Sequence, residues 1–276
     1  MYWAIEKNAM DKILAMMSLS EKVTIPDFVA EPGAKNASNG GVAVINISGT
    51  LMKNPTFFER LFLGAADTTE LTAAVNAAAS DKTITGIVLN ISSPGGTVAG
   101  TPELAGAVSA ATRKKRVLAY VDDLAASAAY WIASQADGIY ASRQAVVGSI
   151  GVRMAMYDMS KAYEQAGVKV IPIDTGKFKS AGLAGTEITD EQKQMYQDIV
   201  DAHFRDFKSA VMKGRGMDEA AFGQVKDAQI FHASKARTVG LIDGISSFSD
   251  VLREAGKRTG QSTQTAHKRL ELYAQD

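Results

Sequence analysis

The stretch VDDLAASAAYWIASQAD (121–137) places one serine, Ser127, among alanines, after an apolar run and before a helical pattern. A serine there is either a helix cap or a nucleophile, and helix-starting serines are common. Two further segments hold groups that a serine nucleophile would use. NISSPGGTVAG (90–100) carries Gly95 and Gly96, whose backbone N–H groups lie open because no Cβ stands beside them. Such donors receive a phosphate or a developing oxyanion, although a plain tight turn explains the pair more simply when it is taken alone. The segment is neither a Walker motif, since no Gly-Lys-Ser/Thr follows, nor a dinucleotide fingerprint, since the glycine spacing differs. DTGKFKSAG (174–182) carries Lys177 and Lys179 in a Gly- and Ser-rich loop.

A nucleophilic serine needs a base. His203, His232 and His267 are scattered, and none falls near either motif, which weakens a Ser-His-Asp arrangement. They form no metal-ligand spacing, and no metal or cofactor is expected. A neutral lysine serves as base if its pKa falls from about 10.4 to about 7–8. That shift is worth roughly 4 kcal/mol against the charged form, so such a lysine must be largely dry. Lys177 and Lys179 point the same way on an extended segment, so spacing does not choose between them, and most loop lysines are simply solvated.

These groups must be positioned by strands and helices. The spacing predicts strands over VAVINISGTL (42–51), GIVLNI (86–91), VLAYV (117–121) and VIPID (170–174), with AVVGSIGV (145–152) among the further units. Helices are predicted over 68–81, starting at a Thr cap with Leu71, Val75 and Ala78 on one face, over 101–114, and from Ser127 onward. MSKAYEQAGVK (159–169) is a further unit, and 189–216 reads as a long helix with a Thr189/Gln192 capping box and Gly214 or Gly216 as its stop. Strands without polar alternation, separated by helices, indicate parallel pairing in an α/β architecture. Parallel strands of an open sheet gather their sites at the carboxyl ends, where Ser127 and the Gly95 loop both fall.

Residues 1–24 show an amphipathic helix pattern (Met10, Ile13, Leu14, Met17), 31–41 reads as a Pro/Gly linker, and 258–276 as a polar tail. Lys+Arg and Asp+Glu are 30 each among 276 residues, so no global field draws nucleic acid or acidic lipid. Cysteine is absent, which excludes disulfides and thiolate chemistry. No apolar stretch approaches ~18 residues, and the N-terminus lacks a secretory pattern, so no membrane span and a cytosolic location are expected.

SSPGG, AASAAYWIAS, VVGSIGV and GKFKSAG, in this order and at these separations, resemble the signal-peptide peptidase A (SppA) family, which belongs with the Clp-protease and crotonase-like folds. QIFHASKARTVGLIDG (229–244) resembles that family's closing strand-helix pattern. The resemblance implies repeated ββα units with a mostly parallel sheet and flanking helices, as a peptidase domain over 41–250 between an arm and linker (1–40) and a tail (251–276). It also implies a serine peptidase with a Ser-Lys dyad. Ser127 matches the nucleophile, Lys179 the general base, and Ser149 a serine whose hydroxyl holds the lysine. Gly95, helped by Gly96, and the amide of Ala128 match the oxyanion hole.

Three departures stand out. Ala128 and Ala129 replace two glycines usual in bacterial members, adding methyl groups near the scissile bond. The histidine of the Clp branch is missing from GSIGVRM, which favours the lysine. The N-terminal membrane anchor frequent in bacterial relatives is not seen.

Short relatives with AASAAYWIAS look like the bacteriophage prohead proteases, which cleave scaffold and capsid proteins inside an assembling shell. The resemblance therefore implies protein substrates, a homo-oligomer, and work in the host cytoplasm or within the prohead. The alternatives are a bacterial enzyme that degrades cleaved signal peptides, a crotonase-like acyl-CoA enzyme, and a non-catalytic assembly or scaffold protein. FFERLFLG (57–64) is either an exposed lip for hydrophobic peptides, a membrane or another subunit, or a helix turned inward to the core.

Overall fold

The computed structural model describes residues 3–5, 37–39 and 41–257. In chain order the elements begin with strands β1 (Trp3–Ile5), β2 (Ala37–Asn39), β3 (Val42–Ser48) and β4 (Leu51–Met52), then helix α1 (Phe57–Leu63), β5 (Ala66–Asp67) and α2 (Thr68–Ser80). Next come β6 (Gly86–Ser93), β7 (Gly95–Thr97), α3 (Thr101–Thr112), β8 (Arg116–Ala126), α4 (Ala128–Ala133), β9 (Gly138–Ala141) and β10 (Val146–Gly148). The remainder is α5 (Ser160–Gln165), α6 (Asp190–Arg215), α7 (Glu219–Gly223), β11 (Ile230–His232), α8 (Ala233–Thr238), β12 (Gly244–Ile245) and α9 (Phe248–Ala255).

The main sheet runs β11-β10-β8-β6-β3-β2, with β9 beside β8 and β12 beside β9; a smaller sheet runs β1-β7-β4-β5. Pairings among β3, β6, β8, β9 and β10 are parallel, while β2 and β11 join antiparallel at the two edges. A main-sheet strand followed by a short strand of the second sheet and then a helix recurs, as β3-β4-α1 and β6-β7-α3, so the expected ββα repeat is present.

Side-chain alternation explains why these strands read as unbroken apolar runs. Ile87, Leu89 and Ile91 of β6, with Val117, Ala119 and Val121 of β8, face the main core. Val88, Leu118 and Tyr120 face the other way, into a second cluster closed by Val251 and Ala255 of α9. Both faces are covered, so neither can be polar. On the main side α4 is wholly buried, and its Trp131 stacks on Phe207 of α6 with ring centroids 4.7 Å apart. Phe207 is fully buried, so Phe207→Ala is expected to cost about 3–5 kcal/mol. Chemical denaturation, read as a lowered midpoint at unchanged slope, checks this.

The long helix starts and stops as expected, with the Thr189/Gln192 capping box in place and Gly216 in the left-handed conformation at its end. Other expectations need correction. The cap of α2 is Asp67, whose carboxylate accepts from Thr69 N–H at 2.8 Å, while Leu71, Val75 and Ala78 share the core face as expected, Ala78 partly buried and joined there by the buried Ala79. β8 does not stop at Val121 but continues through the exposed Asp122 and Asp123 to Ala126, directly before Ser127. The 170–174 run is not a strand; Ile171 and Ile173 stand exposed, because apolar β-branched residues make no strand without a neighbouring strand to pair with. α1 does not turn inward: none of its residues is buried, and Phe57 and Phe58 are 59% and 61% exposed. Part of the expected linker, Ala37–Asn39, is a strand on β3. The helix expected around Met10–Met17 and the polar tail lie outside the described residues. Among the described residues no helix is long and apolar enough to cross a membrane.

Candidate active site

The site is built by strand register. Ala126, the last residue of β8, pairs with Gly148, the last residue of β10, so Ser127 and Ser149 leave adjacent parallel strands side by side. On the other edge of β8 the ladder with β6 shifts: β6 advances from Ile91 to Ser93 while β8 advances from Val121 to Ala125. The extra length of β8 carries Asp122 and Asp123, and it brings Ser93, and with it the Pro94–Gly95 turn, abreast of the residues that precede Ser127. Gly95, Ser127 and Ser149 are therefore gathered at the carboxyl edge of three neighbouring strands.

Ser127 is 1% exposed and holds φ 54, ψ −120, a conformation that a residue with a Cβ adopts only under constraint. The constraint is visible. Its N–H donates to Gly148 O at 2.8 Å, and its carbonyl accepts the first helical bond, from Trp131 N–H at 2.9 Å. The cap reading fails on geometry, since a capping serine accepts a helix amide on its Oγ and none donates to this one. The next residue, Ala128, opens α4, where a first-turn N–H has no acceptor within the helix. Ala128 and Ala129 have no solvent exposure and pack in the main core. Tyr130 anchors the same turn, its hydroxyl donating to Leu241 O at 2.8 Å, and burial pushes this phenol well above its ordinary pKa.

Gly95 has φ 93, in the region that favours glycine. Its N–H donates to Ser93 Oγ at 3.2 Å, the long end of the range, while that hydroxyl donates to Gly49 O at 2.6 Å. Ser93, inside SSPGG, is thus a positioning residue for the loop that pattern reading passed over. Gly96 pairs with Leu51, and a Cβ on it would overlap the Leu51 carbonyl. Gly96→Ala is expected to part β7 from β4, costing about 1–3 kcal/mol as overpacked sites do and lowering any turnover with it. A thermal melt beside a rate assay checks both.

Ser149 has φ 53, and its N–H donates to Gln229 O at 2.6 Å. Lys179 makes no side-chain hydrogen bond to any of these groups. It is exposed, in the turn-rich part of an outlying segment (152–189), and among the described residues its ammonium has no hydrogen-bond or ion-pair partner. Lys177 differs: its Nζ is 2.7 Å from Glu191 Oε1 and sits over the Phe178 ring. The structure does not join Lys179 to Ser127. His232 lies at the Val146 end of β11, with its ring nitrogens against Ser234 and Gln144.

The edge of β7 that is not paired to β4 carries β1, antiparallel, with Ile5 opposite Gly95. Sequence reading missed this strand, because three residues are too few for a periodic pattern.

The arrangement offers a constrained serine beside two backbone donors, the Ala128 amide at the start of α4 and the Gly95 amide held by a 3.2 Å bond to Ser93 Oγ, as acyl transfer requires. Among known proteins, Capsid assembly protease C of Escherichia phage lambda is 29% identical over 218 residues, 78% of this chain and 49% of its own length. Head-tail preconnector protein GP5 of Enterobacteria phage P21 is 30% identical over 213 residues, 77% of this chain and 42% of its own. Protease 4 of Haemophilus influenzae is 26% identical over 227 residues, 82% of this chain and 36% of its own. The chain spans half or less of the length of these relatives. A crystal structure of an enoyl-CoA hydratase/isomerase family member aligns with 87% of this chain and 81% of its own, at a TM-score of 0.49 and 17% identity. The profile of peptidase family S49 matches residues 109–262, more than half of the chain, and that span holds Ser127, Ser149 and Lys179. With its motifs, its ββα repeat and this match in agreement, the chain belongs to peptidase family S49.

Proposed function

We propose that the chain is a serine endopeptidase whose peptidase unit spans 41–250 and is closed by the rest of α9 to Ala255, with Ser127 as nucleophile and Lys179 as base. The observation that carries this reading is the state of Ser127: buried, at positive φ, unused as a cap, and beside the Ala128 amide, Gly95 and Ser149. In the proposed reaction Lys179 takes the Ser127 proton and Oγ bonds to the substrate carbonyl carbon. The N–H groups of Gly95 and Ala128 receive the oxyanion, with Gly96 keeping the loop close. The lysine ammonium then protonates the leaving amine, and water, deprotonated by the same lysine, releases the acyl group. Ser149 holds the lysine in reach, and no cofactor takes part.

A lysine base has to be dry. The segment that carries Lys179 also exposes Tyr157, Ile171, Ile173 and Phe178, with Ile173 96% exposed. Covering this segment with another copy meets both needs at once, so a homo-oligomer is part of the proposal.

The proposed substrates are scaffold or capsid proteins, cut in a host cytoplasm or inside an assembling head. Support comes from the phage relatives, one of them a capsid assembly protease, each aligned over more than three quarters of this chain. Degradation of signal peptides is the second reading, and the exposed Phe57 and Phe58 of α1 favour it as an apolar lip.

The test offers the protein two substrates, an unfolded scaffold-like protein and an apolar signal peptide, with fragments read by mass spectrometry. Cleavage of the protein substrate is expected, and preference for the signal peptide would transfer the role to the second reading. Intact substrates at every protein concentration would contradict the peptidase reading.

A further inference from the structure

Strand β7 has two edges. β4 pairs along one, with Leu51 opposite Gly96; β1 pairs along the other, antiparallel, with Trp3 opposite Thr97, Ala4 opposite Gly96 and Ile5 opposite Gly95. The order β1-β7-β4-β5 leaves β7 no further edge for pairing. We propose that residues 3–5 occupy the strand position an extended peptide must take to present a carbonyl to Ser127, so that the N-terminal segment is a tethered competitor of the substrate. This rests on the peptidase reading above.

Direction and register both support the assignment. β1 runs from the Thr97 end of β7 towards Gly95, so its chain advances to the loop whose N–H is the proposed oxyanion donor. Ile5 is the residue abreast of Gly95. A peptide laid down in the same direction brings the carbonyl at that position to the Gly95 amide, and the peptide bond that follows it to Ser127. Recognition by strand addition uses main-chain hydrogen bonds, so one groove accepts both the chain's own segment and an unrelated substrate. Gly95 and Gly96 add no side chain to that edge. A three-residue strand at a sheet edge is weakly held, so it yields to a good substrate instead of blocking the site outright.

The test compares the full chain with a form lacking residues 1–6, on an extended fluorogenic peptide. Being part of the same chain, the segment competes at a fixed local concentration, so its removal is expected to lower KM about tenfold with kcat little changed. A second readout needs no catalysis. In the Ser127→Ala background, fluorescein-labelled YWAIEK (residues 2–7) is titrated by anisotropy, and it is expected to bind the shortened form about tenfold more tightly than the full chain, by the same argument. Ala4→Pro keeps the chain length while removing a strand N–H, and is expected to reproduce the gain if the shortened form melts early. Equal KM and equal peptide binding in the full and freed forms would overturn the proposal. So would loss of both peptide binding and turnover in a freed form that is still folded. If no form cleaves any peptide while the labelled peptide still prefers the freed forms, the peptidase reading fails and the occupied groove stands.

Discussion

Ser127→Ala is expected to lower kcat by at least about 10⁴-fold, the scale on which a covalent nucleophile acts within its catalytic unit. The fold should survive the change. The substitution removes one oxygen, and among the described residues no hydrogen bond to the Ser127 hydroxyl supports a neighbouring element. The backbone bonds that fix the turn, from Ser127 N–H to Gly148 O and from Trp131 N–H to Ser127 O, are indifferent to the side chain. A thermal midpoint near wild type with turnover gone is therefore the signature of a nucleophile. A capping serine would show the reverse, with turnover kept and about 1 kcal/mol of stability lost.

Lys179→Met should come second in size, with turnover falling about 10²–10⁴-fold, the usual contribution of a general base. Stability should move by no more than about 0.5 kcal/mol, because the side chain is exposed and holds no partner among the described residues. Lys177→Met is the matched control. That lysine is engaged with Glu191 and the Phe178 ring, both on the surface, so its loss should leave turnover near wild type. Equal turnover in both lysine variants would remove Lys179 from the mechanism.

Much of the scaffold was legible in the sequence, because its signals are local. β6 reads as an apolar run bounded by Gly86, and α6 announces itself through Thr189, Gln192 and Gly216. Non-local pairing was not legible. Asp122 and Asp123 look like the end of a strand, yet β8 carries them onward because the β6 ladder shifts there and leaves both carboxylates in water. Ser127 and Ser149 are distant in the chain, and only the register of β8 on β10 shows that they leave the sheet together. The run VIPI was misleading for a related reason. Apolar residues normally signal burial, but Ile171 and Ile173 have nothing to bury against within the described chain. The choice between Lys177 and Lys179 came from family resemblance, and the ion pair of Lys177 with Glu191 is a physical difference that neither residue's spacing contained.

The central claim, that Ser127 is an activated nucleophile, is tested most directly by its own chemistry. A fluorophosphonate reacts with a serine whose proton is drawn off and whose oxyanion is held, and leaves ordinary serines alone. Intact-mass and peptide-level mass spectrometry of the labelled protein should show one adduct, on the peptide containing Ser127, that is absent from Ser127→Ala and strongly reduced in Lys179→Met. A protein that cleaves its substrate while the adduct sits on another residue, or while Ser127 stays unlabelled and unprotected by substrate, would contradict the account.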